Sequence, residues 1–271
     1  MQASPAILGS TLPGTLLATG GTAEIFALDE RRVLKLYWSG ASSTAPEREA
    51  ERAWAAHVSG APSPAVLDVM SVDDRFGVVF ERVRGPSMFQ LMLAEPARAN
   101  ALARVLGRLQ AQLHAHTCNN LPSQREHLSP RIWLSPLNHR LRSAILAVLA
   151  RLPDADTLCH GDFHPGNLLL PPRGPSIIDW CDAARGHPAA DVARTLLLLQ
   201  YTRAPGDAAF ESARKELSTV YLEEYRRVRD MPAEALDAWT LPIAAARLAE
   251  PIAGPERTTL IRLIESMLAT V

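Results

Sequence analysis

Lysine is almost absent from this chain. Of 28 basic residues among 271, only Lys35 and Lys215 are lysines, against 26 arginines. Alanine supplies 42 residues, and the two counts together indicate a GC-rich codon background that writes arginine wherever a positive charge suffices. A lysine that persists in an apolar strand then has a specific task. Cysteine is scarce as well. Cys118, Cys159 and Cys181 are odd in number and form no Cys-x-x-Cys pair, which argues against a disulfide framework or a thiolate zinc site and for a reducing compartment. An excess of charge is also lacking: 29 acidic residues against 28 basic give a formal net charge of -1. Neither nucleic acid nor a membrane surface is therefore expected as a partner. The longest apolar run, around Leu196–Leu199, falls far short of the ~20 residues of a membrane span. Residues 1–23 carry no charge and are interrupted by Pro5, Gly9, Pro13 and Gly14, so the basic start of a secretory signal is missing. A cytoplasmic protein with a full core and one or two domains is expected.

The first third reads as short strands. Thr15–Thr19, Glu24–Leu28 and Arg32–Trp38 are separated by Gly20-Gly21 and by Asp29-Glu30-Arg31, turn residues that suit an antiparallel meander. A helix over Glu47–Ser59 follows, with Thr44 as its expected cap and Glu47 three residues on, as in a capping box. Pro62 and Pro64 end it. Two more strands are expected over Ala65–Val72 and Phe76–Glu81. Beyond Gly85-Pro86 the apolar spacing becomes helical, as in Leu102, Val105, Leu106, Leu109 and Leu113. That periodicity lapses between Leu158 and Asp182, where Leu168–Leu170 and Ser176–Ile178 read as a small hairpin. It then resumes in helices with breaks expected near Pro205, Pro232, Pro242, Pro251 and Pro255. The pattern predicts an α+β protein with a sheet-rich lobe over residues 1–84 and a helical lobe over 85–271.

The densest chemistry lies in His160-Gly161-Asp162-Phe163-His164-Pro165-Gly166-Asn167, followed by Ile177-Ile178-Asp179-Trp180. Asp162 and Asn167 stand five apart, and Asp179 lies twelve beyond Asn167. One carboxylate to accept a hydroxyl proton, plus an amide oxygen and a second carboxylate to hold Mg²⁺, is a set that suits phosphoryl transfer. Singly, each residue reads equally as a turn residue beside glycine or proline; the ordered set carries the functional reading. His-Gly-Asp-x4-Asn followed by Ile-Asp resembles the aminoglycoside phosphotransferase and choline kinase family, small-molecule relatives of the protein kinases. The likeness continues through Gly186-His187-Pro188-Ala189-Ala190-Asp191-Val192-Ala193-Arg194, similar to the family's Gly-x-Pro-x-x-Asp-Leu-Ala segment, whose aspartate braces the catalytic core. The resemblance implies a two-lobed protein-kinase-like fold, Asp162 as catalytic residue, Asn167 and Asp179 as metal ligands, and a supporting role for His160. His164 stands in the same loop, as a solvent-facing residue or one close to the acceptor. Cys159 and Cys181 read as small core residues rather than nucleophiles.

In such a lobe Lys35, flanked by Leu34 and Leu36, would reach the α- and β-phosphates and pair with a helix glutamate. An ammonium is a compact point charge and a guanidinium a wider fork, which explains a lysine that arginine has not replaced. Glu49 is the expected partner, because it shares a helical face with Ala45, Ala53 and Ala56 while Glu51 faces elsewhere. Gly20-Gly21-Thr22 occupies the place of the nucleotide-covering loop, its backbone N–H groups suited to phosphate oxygens. By resemblance, backbone groups of Glu81 and Val83 would bind the purine, with Phe80 lining the pocket. ATP is the expected donor, with GTP left open.

Only Trp180–Pro188 separates Asp179 from the helix containing Asp191, too little for a phosphorylated activation loop or a docked peptide. The expected activity is transfer of a γ-phosphoryl group to a hydroxyl of a small molecule: an antibiotic, a sugar or an amino alcohol. The alternative is a catalytically silent nucleotide-binding scaffold or sensor. From Gln200 to Val271, 11 acidic residues against 9 basic ones do not mark a polycationic substrate. Tyr201, Tyr221, Tyr225 and Trp239 are aromatic candidates for the acceptor, with helix-core packing as the competing role. Monomer and homodimer both remain open.

Overall fold

The structure, a computed structural model, describes residues 7–8, 14–202 and 208–269. In chain order the first elements are β1 (Ile7–Leu8), β2 (Thr15–Thr19), β3 (Ala23–Ala27), β4 (Arg32–Tyr37), α1 (Thr44–Val58), β5 (Val66–Val72) and β6 (Arg75–Glu81). Then come α2 (Met88–Ala94), α3 (Ala99–Leu113), α4 (Gln124–Leu134), α5 (His139–Arg151), β7 (Thr157–Cys159), β8 (Leu168–Leu169), β9 (Ser176–Ile177) and β10 (Ala184–Gly186). Helices α6 (Pro188–Tyr201), α7 (Ala208–Val228), α8 (Ala233–Arg247) and α9 (Gly254–Leu268) complete the chain. Two compact units result, one of Met1–Pro86 with Leu168–Cys181, the other of Ser87–Asn167 with Asp182–Val271.

The first unit is built on a six-stranded sheet of order β1-β5-β6-β4-β3-β2. Its pairings are antiparallel except for β1, which runs parallel to β5. Alternation along the strands sends Phe26, Leu34, Leu36, Met70, Val72 and Val79 into one apolar cluster. The β3–β4 turn is closed by Asp29, whose Oδ1 accepts from the backbone N–H of Arg31 at 2.7 Å and of Arg32 at 2.8 Å. Helix α1 packs on β5 and β6 through a face of small residues, Ala53 and Ala56 being fully buried. The excursion Leu168–Cys181 belongs with this unit, unlike the uninterrupted 1–84 and 85–271 partition expected from sequence. Backbone hydrogen bonds explain why: Ile177 N–H donates to the Pro62 carbonyl at 2.7 Å, and Leu170 N–H to that of Pro86 at 3.0 Å.

Two start and stop signals need correction. Helix α1 begins at Thr44 itself; Ser43 precedes it in helical geometry and makes no side-chain cap bond, so the Thr44–Glu47 capping box does not form. True capping boxes open α2 (Ser87 with Gln90) and α4 (Ser123 with Glu126). Pro242 does not break the chain but lies inside α8. Pro205 is outside the described residues.

The second unit is helical. Helix α8 packs against α4, α5, α6 and α9, and α3 against α7. The α3–α7 crossing is close enough to require glycine: a Cβ on Gly107 would stand 2.3 Å from the Tyr221 carbonyl oxygen. A short antiparallel pair, β7 with β10, leads into and out of the segment His160–Asn167.

Candidate active site

The segment His160–Asn167 follows β7 directly, and its shape is fixed by Asp191 on α6. The Asp191 carboxylate accepts from the backbone N–H of His160 at 3.1 Å and of Gly161 at 2.6 Å. It is completely buried and also meets Gln110 Nε2 and His114 Nε2, each at 3.0 Å. Burial alone would raise its pKa; the bonds and charges of His114, His160 and Gln110 outweigh that and hold it at about 2. Gly161 has φ 80°, and a Cβ there would stand 2.3 Å from the Asp182 carbonyl oxygen. Only glycine makes this turn without strain.

Asp162 then stands inside a ring of donors. Its Oδ1 accepts from Arg194 Nη2 at 2.9 Å. Its Oδ2 lies 3.4 Å from His164 Nε2 and 3.4 Å from Asn167 Nδ2. His164 Nδ1 accepts from the Gly166 N–H at 3.0 Å, so in the neutral ring Nε2 carries the proton toward Asp162. Asn167 Nδ2 also donates to the Asp162 carbonyl oxygen at 3.0 Å, which turns the amide oxygen away from Asp162. Burial pushes the Asp162 pKa up, but the His164 hydrogen bond and the Arg194 charge prevail and hold the carboxyl well below the usual range. Asp162 is thus a carboxylate at neutral pH, and a weak base.

Arg194 adds a residue that the sequence does not mark. Its side chain is 7% exposed and bridges Asp162 to Glu250, with Nη1 2.8 Å from Glu250 Oε1. Arg247 holds Glu250 from the other side and reaches Glu256 at 2.9 Å. A small cavity of ≈ 30 Å³ is lined here by Arg131, Gly161, Asp182, Arg194 and Glu250 among others. In an arginine-rich sequence, nothing marks one arginine as the buried one.

In the first unit Lys35 and Glu49 come together. Lys35, 7% exposed, points its Nζ at Glu49 Oε1 (2.8 Å) and Asp179 Oδ1 (3.0 Å). Burial disfavours the ammonium, but the facing Glu49 and Asp179 charges dominate and raise its pKa. Glu49, Asp179 and Cys181 offer ligand atoms within 4.8 Å of one another; with the Lys35 ammonium among them, that group already holds a cation. Asp179 has φ 64°, one of two positive-φ residues other than glycine among the described residues, the second being the turn residue Asp73. Such a conformation in a residue outside a hairpin turn is typical of functional sites.

Gly20-Gly21-Thr22 forms the β2–β3 turn, closed by Gly20 N–H to the Ala23 carbonyl at 2.8 Å. Neither glycine adopts the left-handed conformation, and a Cβ on Gly21 would meet nothing within 4 Å. The chain's own packing does not demand glycine here, so the turn is open to close approach from outside. Glu81 ends β6 with its N–H already given to the Ala65 carbonyl at 2.9 Å, which leaves only its carbonyl for a purine. Val83 lies two residues on, outside any strand or helix.

Of the aromatic acceptor candidates, Tyr221 and Tyr225 are fully buried and Trp239 nearly so. Tyr221 donates to Gln110 Oε1, and Tyr225 meets His114 Nδ1 at 2.7 Å. The helix-core role applies to them, and Tyr201 is half-buried.

Solved structures of known proteins share this fold. A structure of aminoglycoside-3'-phosphotransferase of type VIII matches with TM-score 0.62 and 24% identity over 86% of this chain and 91% of that one. An amicoumacin kinase in complex with AMP-PNP, Ca²⁺ and Ami matches with TM-score 0.63 and 15% identity over 95% and 88%. A choline/ethanolamine kinase family protein from Mesorhizobium loti matches with TM-score 0.54 and 18% identity over 94% and 88%. The fold is the kinase-like α+β fold of these enzymes. A search of curated proteins finds no match. The model of the phosphotransferase enzyme family matches residues 15–231, four-fifths of the sequence, and the chain belongs to that family.

Proposed function

We propose that this phosphotransferase is an ATP- and Mg²⁺-dependent kinase of a small-molecule hydroxyl, working in the cytoplasm, with Asp162 as its catalytic residue. The observation that carries the proposal is the catalytic segment, in which Arg194, His164 and Asn167 fix Asp162 as a carboxylate. Asp162 orients the acceptor hydroxyl and takes its proton as the oxygen bonds to the γ-phosphorus and the β–γ bridging oxygen departs with ADP. Because Asp162 is a weak base, proton transfer comes late and orientation is its main work, as a loose phosphoryl transition state allows. The amide oxygen of Asn167 and the carboxylate of Asp179 supply hard oxygen ligands for Mg²⁺, which fit that ion. When bound, Mg²⁺ neutralises charge on the phosphates. Lys35 steadies the α- and β-phosphates and Glu49 orients Lys35. The open turn Gly20-Gly21-Thr22 offers amides to the phosphates, and the Glu81 carbonyl and Val83 backbone hold the base. Among the described residues no helix is long and apolar enough to cross a membrane.

Steady-state kinetics with Mg·ATP test these roles. Asp179→Ala is expected to abolish turnover and weaken Mg·ATP binding. Asp162→Asn is expected to lower kcat by about 10²-fold or more with KM for ATP little changed. An Asp162→Asn enzyme with full kcat overturns the catalytic assignment.

A further inference from the structure

Strand β4 carries two polar groups on one face. Lys35 and Tyr37 are two apart, so their side chains leave the sheet on the same side, and both are buried, as is Glu49 on α1. Lys35 engages only one oxygen of Glu49, Oε1. The second, Oε2, accepts from the Tyr37 hydroxyl. The same hydroxyl lies 3.4 Å from Cys181 Sγ, and the Lys35 ammonium stands 5.5 Å from the Tyr37 ring centroid. The Tyr37 backbone is itself held, its carbonyl accepting from Arg75 Nε at 2.8 Å. We infer that Tyr37 is a positioning residue of the nucleotide site, holding Glu49 by its second oxygen so that Glu49 offers Lys35 a single contact. The inference rests on the reading of Lys35 as the phosphate-binding lysine.

The physical argument concerns what Glu49 does without that hydroxyl. The residue is 1% exposed, so water does not replace the lost donor, and a buried carboxylate oxygen without a partner is costly. The Cys181 thiol nearby is a weak donor; the strong one is Lys35, already on Oε1, whose ammonium has three N–H bonds in all. A Glu49 that closes both oxygens on Lys35 draws the ammonium toward α1 and competes with the phosphates for it. Tyr37 thereby keeps part of the lysine's charge available to the nucleotide.

Tyr37→Phe removes the hydroxyl and keeps the ring and its packing. Affinities for Mg·ADP and for adenosine, measured by competition against a fluorescent ATP analogue, separate positioning from packing. Tyr37→Phe is expected to weaken Mg·ADP about five- to tenfold and to leave adenosine unchanged. In a Glu49→Gln background the same substitution is expected to add nothing. Unchanged Mg·ADP affinity, equal losses for both ligands, or full additivity with Glu49→Gln each overturn the inference. Lys35→Ala, measured alongside, isolates the underlying reading: if it does not weaken Mg·ADP relative to adenosine, Lys35 is not the phosphate ligand, and the fault lies there rather than with Tyr37.

Discussion

A buried ammonium facing two carboxylates, as Lys35 faces Glu49 and Asp179, is held by point-charge geometry that a planar guanidinium does not reproduce. Lys35→Arg conserves charge but is expected to lower kcat/KM for Mg·ATP by at least about tenfold, whereas exposed Lys215→Arg is expected to be silent within about 0.5 kcal/mol in urea unfolding. A Lys35→Arg enzyme with the parent's kcat/KM contradicts the assignment. Lys35 was legible in the sequence because the arginine-rich background makes a lysine conspicuous, and Glu49 because helical periodicity places it on the small-residue face of α1. Arg194, Tyr37 and the positive φ of Asp179 were not legible. Their importance arises from burial and from partners distant in sequence, and no local pattern distinguishes Arg194 from 25 other arginines.

At the scale of elements, alternation and turn residues located each of β2–β6 to within a residue or two, because strand period and Asx chemistry are local. The failures have tertiary causes. Thr44 belongs to the first turn of α1 rather than its cap. Pro242 is tolerated because α8 is buried among α4, α5, α6 and α9, whose packing outweighs one lost backbone bond. Gly107 marks a close approach that periodicity does not reveal. Gly107→Ala would drive a Cβ into the α7 backbone and is expected to destabilise by about 1–3 kcal/mol, read as a lower urea midpoint. Wild-type stability in that variant contradicts the closeness of the α3–α7 crossing.

For the whole molecule, the motif order between His160 and Arg194 makes the family legible in the sequence, because it is set by chemistry as much as by packing. The assignment of Leu168–Cys181 to the first unit was invisible, since it depends on backbone bonds to Pro62 and Pro86. Stability should depend on pH through the buried brace Asp191. Its folded pKa, about 2, lies below the ordinary 3.8. Its contribution is therefore complete above pH 3.8 and is lost as pH falls through about 2, a change of roughly 2 kcal/mol. Urea unfolding between pH 5 and pH 2 is expected to show that loss in the parent and a flatter profile in Asp191→Asn; parallel profiles contradict it.

Phosphoryl transfer from ATP to a small-molecule hydroxyl through Asp162 and Asp179 is tested most directly by following γ-labelled phosphate from ATP to a panel of aminoglycosides, macrolides, amino alcohols and sugars, with water as the background acceptor. The expected result is Mg²⁺-dependent transfer that disappears in Asp162→Asn and in Asp179→Ala. Transfer that persists in either variant, or saturable Mg·ATP binding with no transfer to any acceptor or to water, would contradict the account.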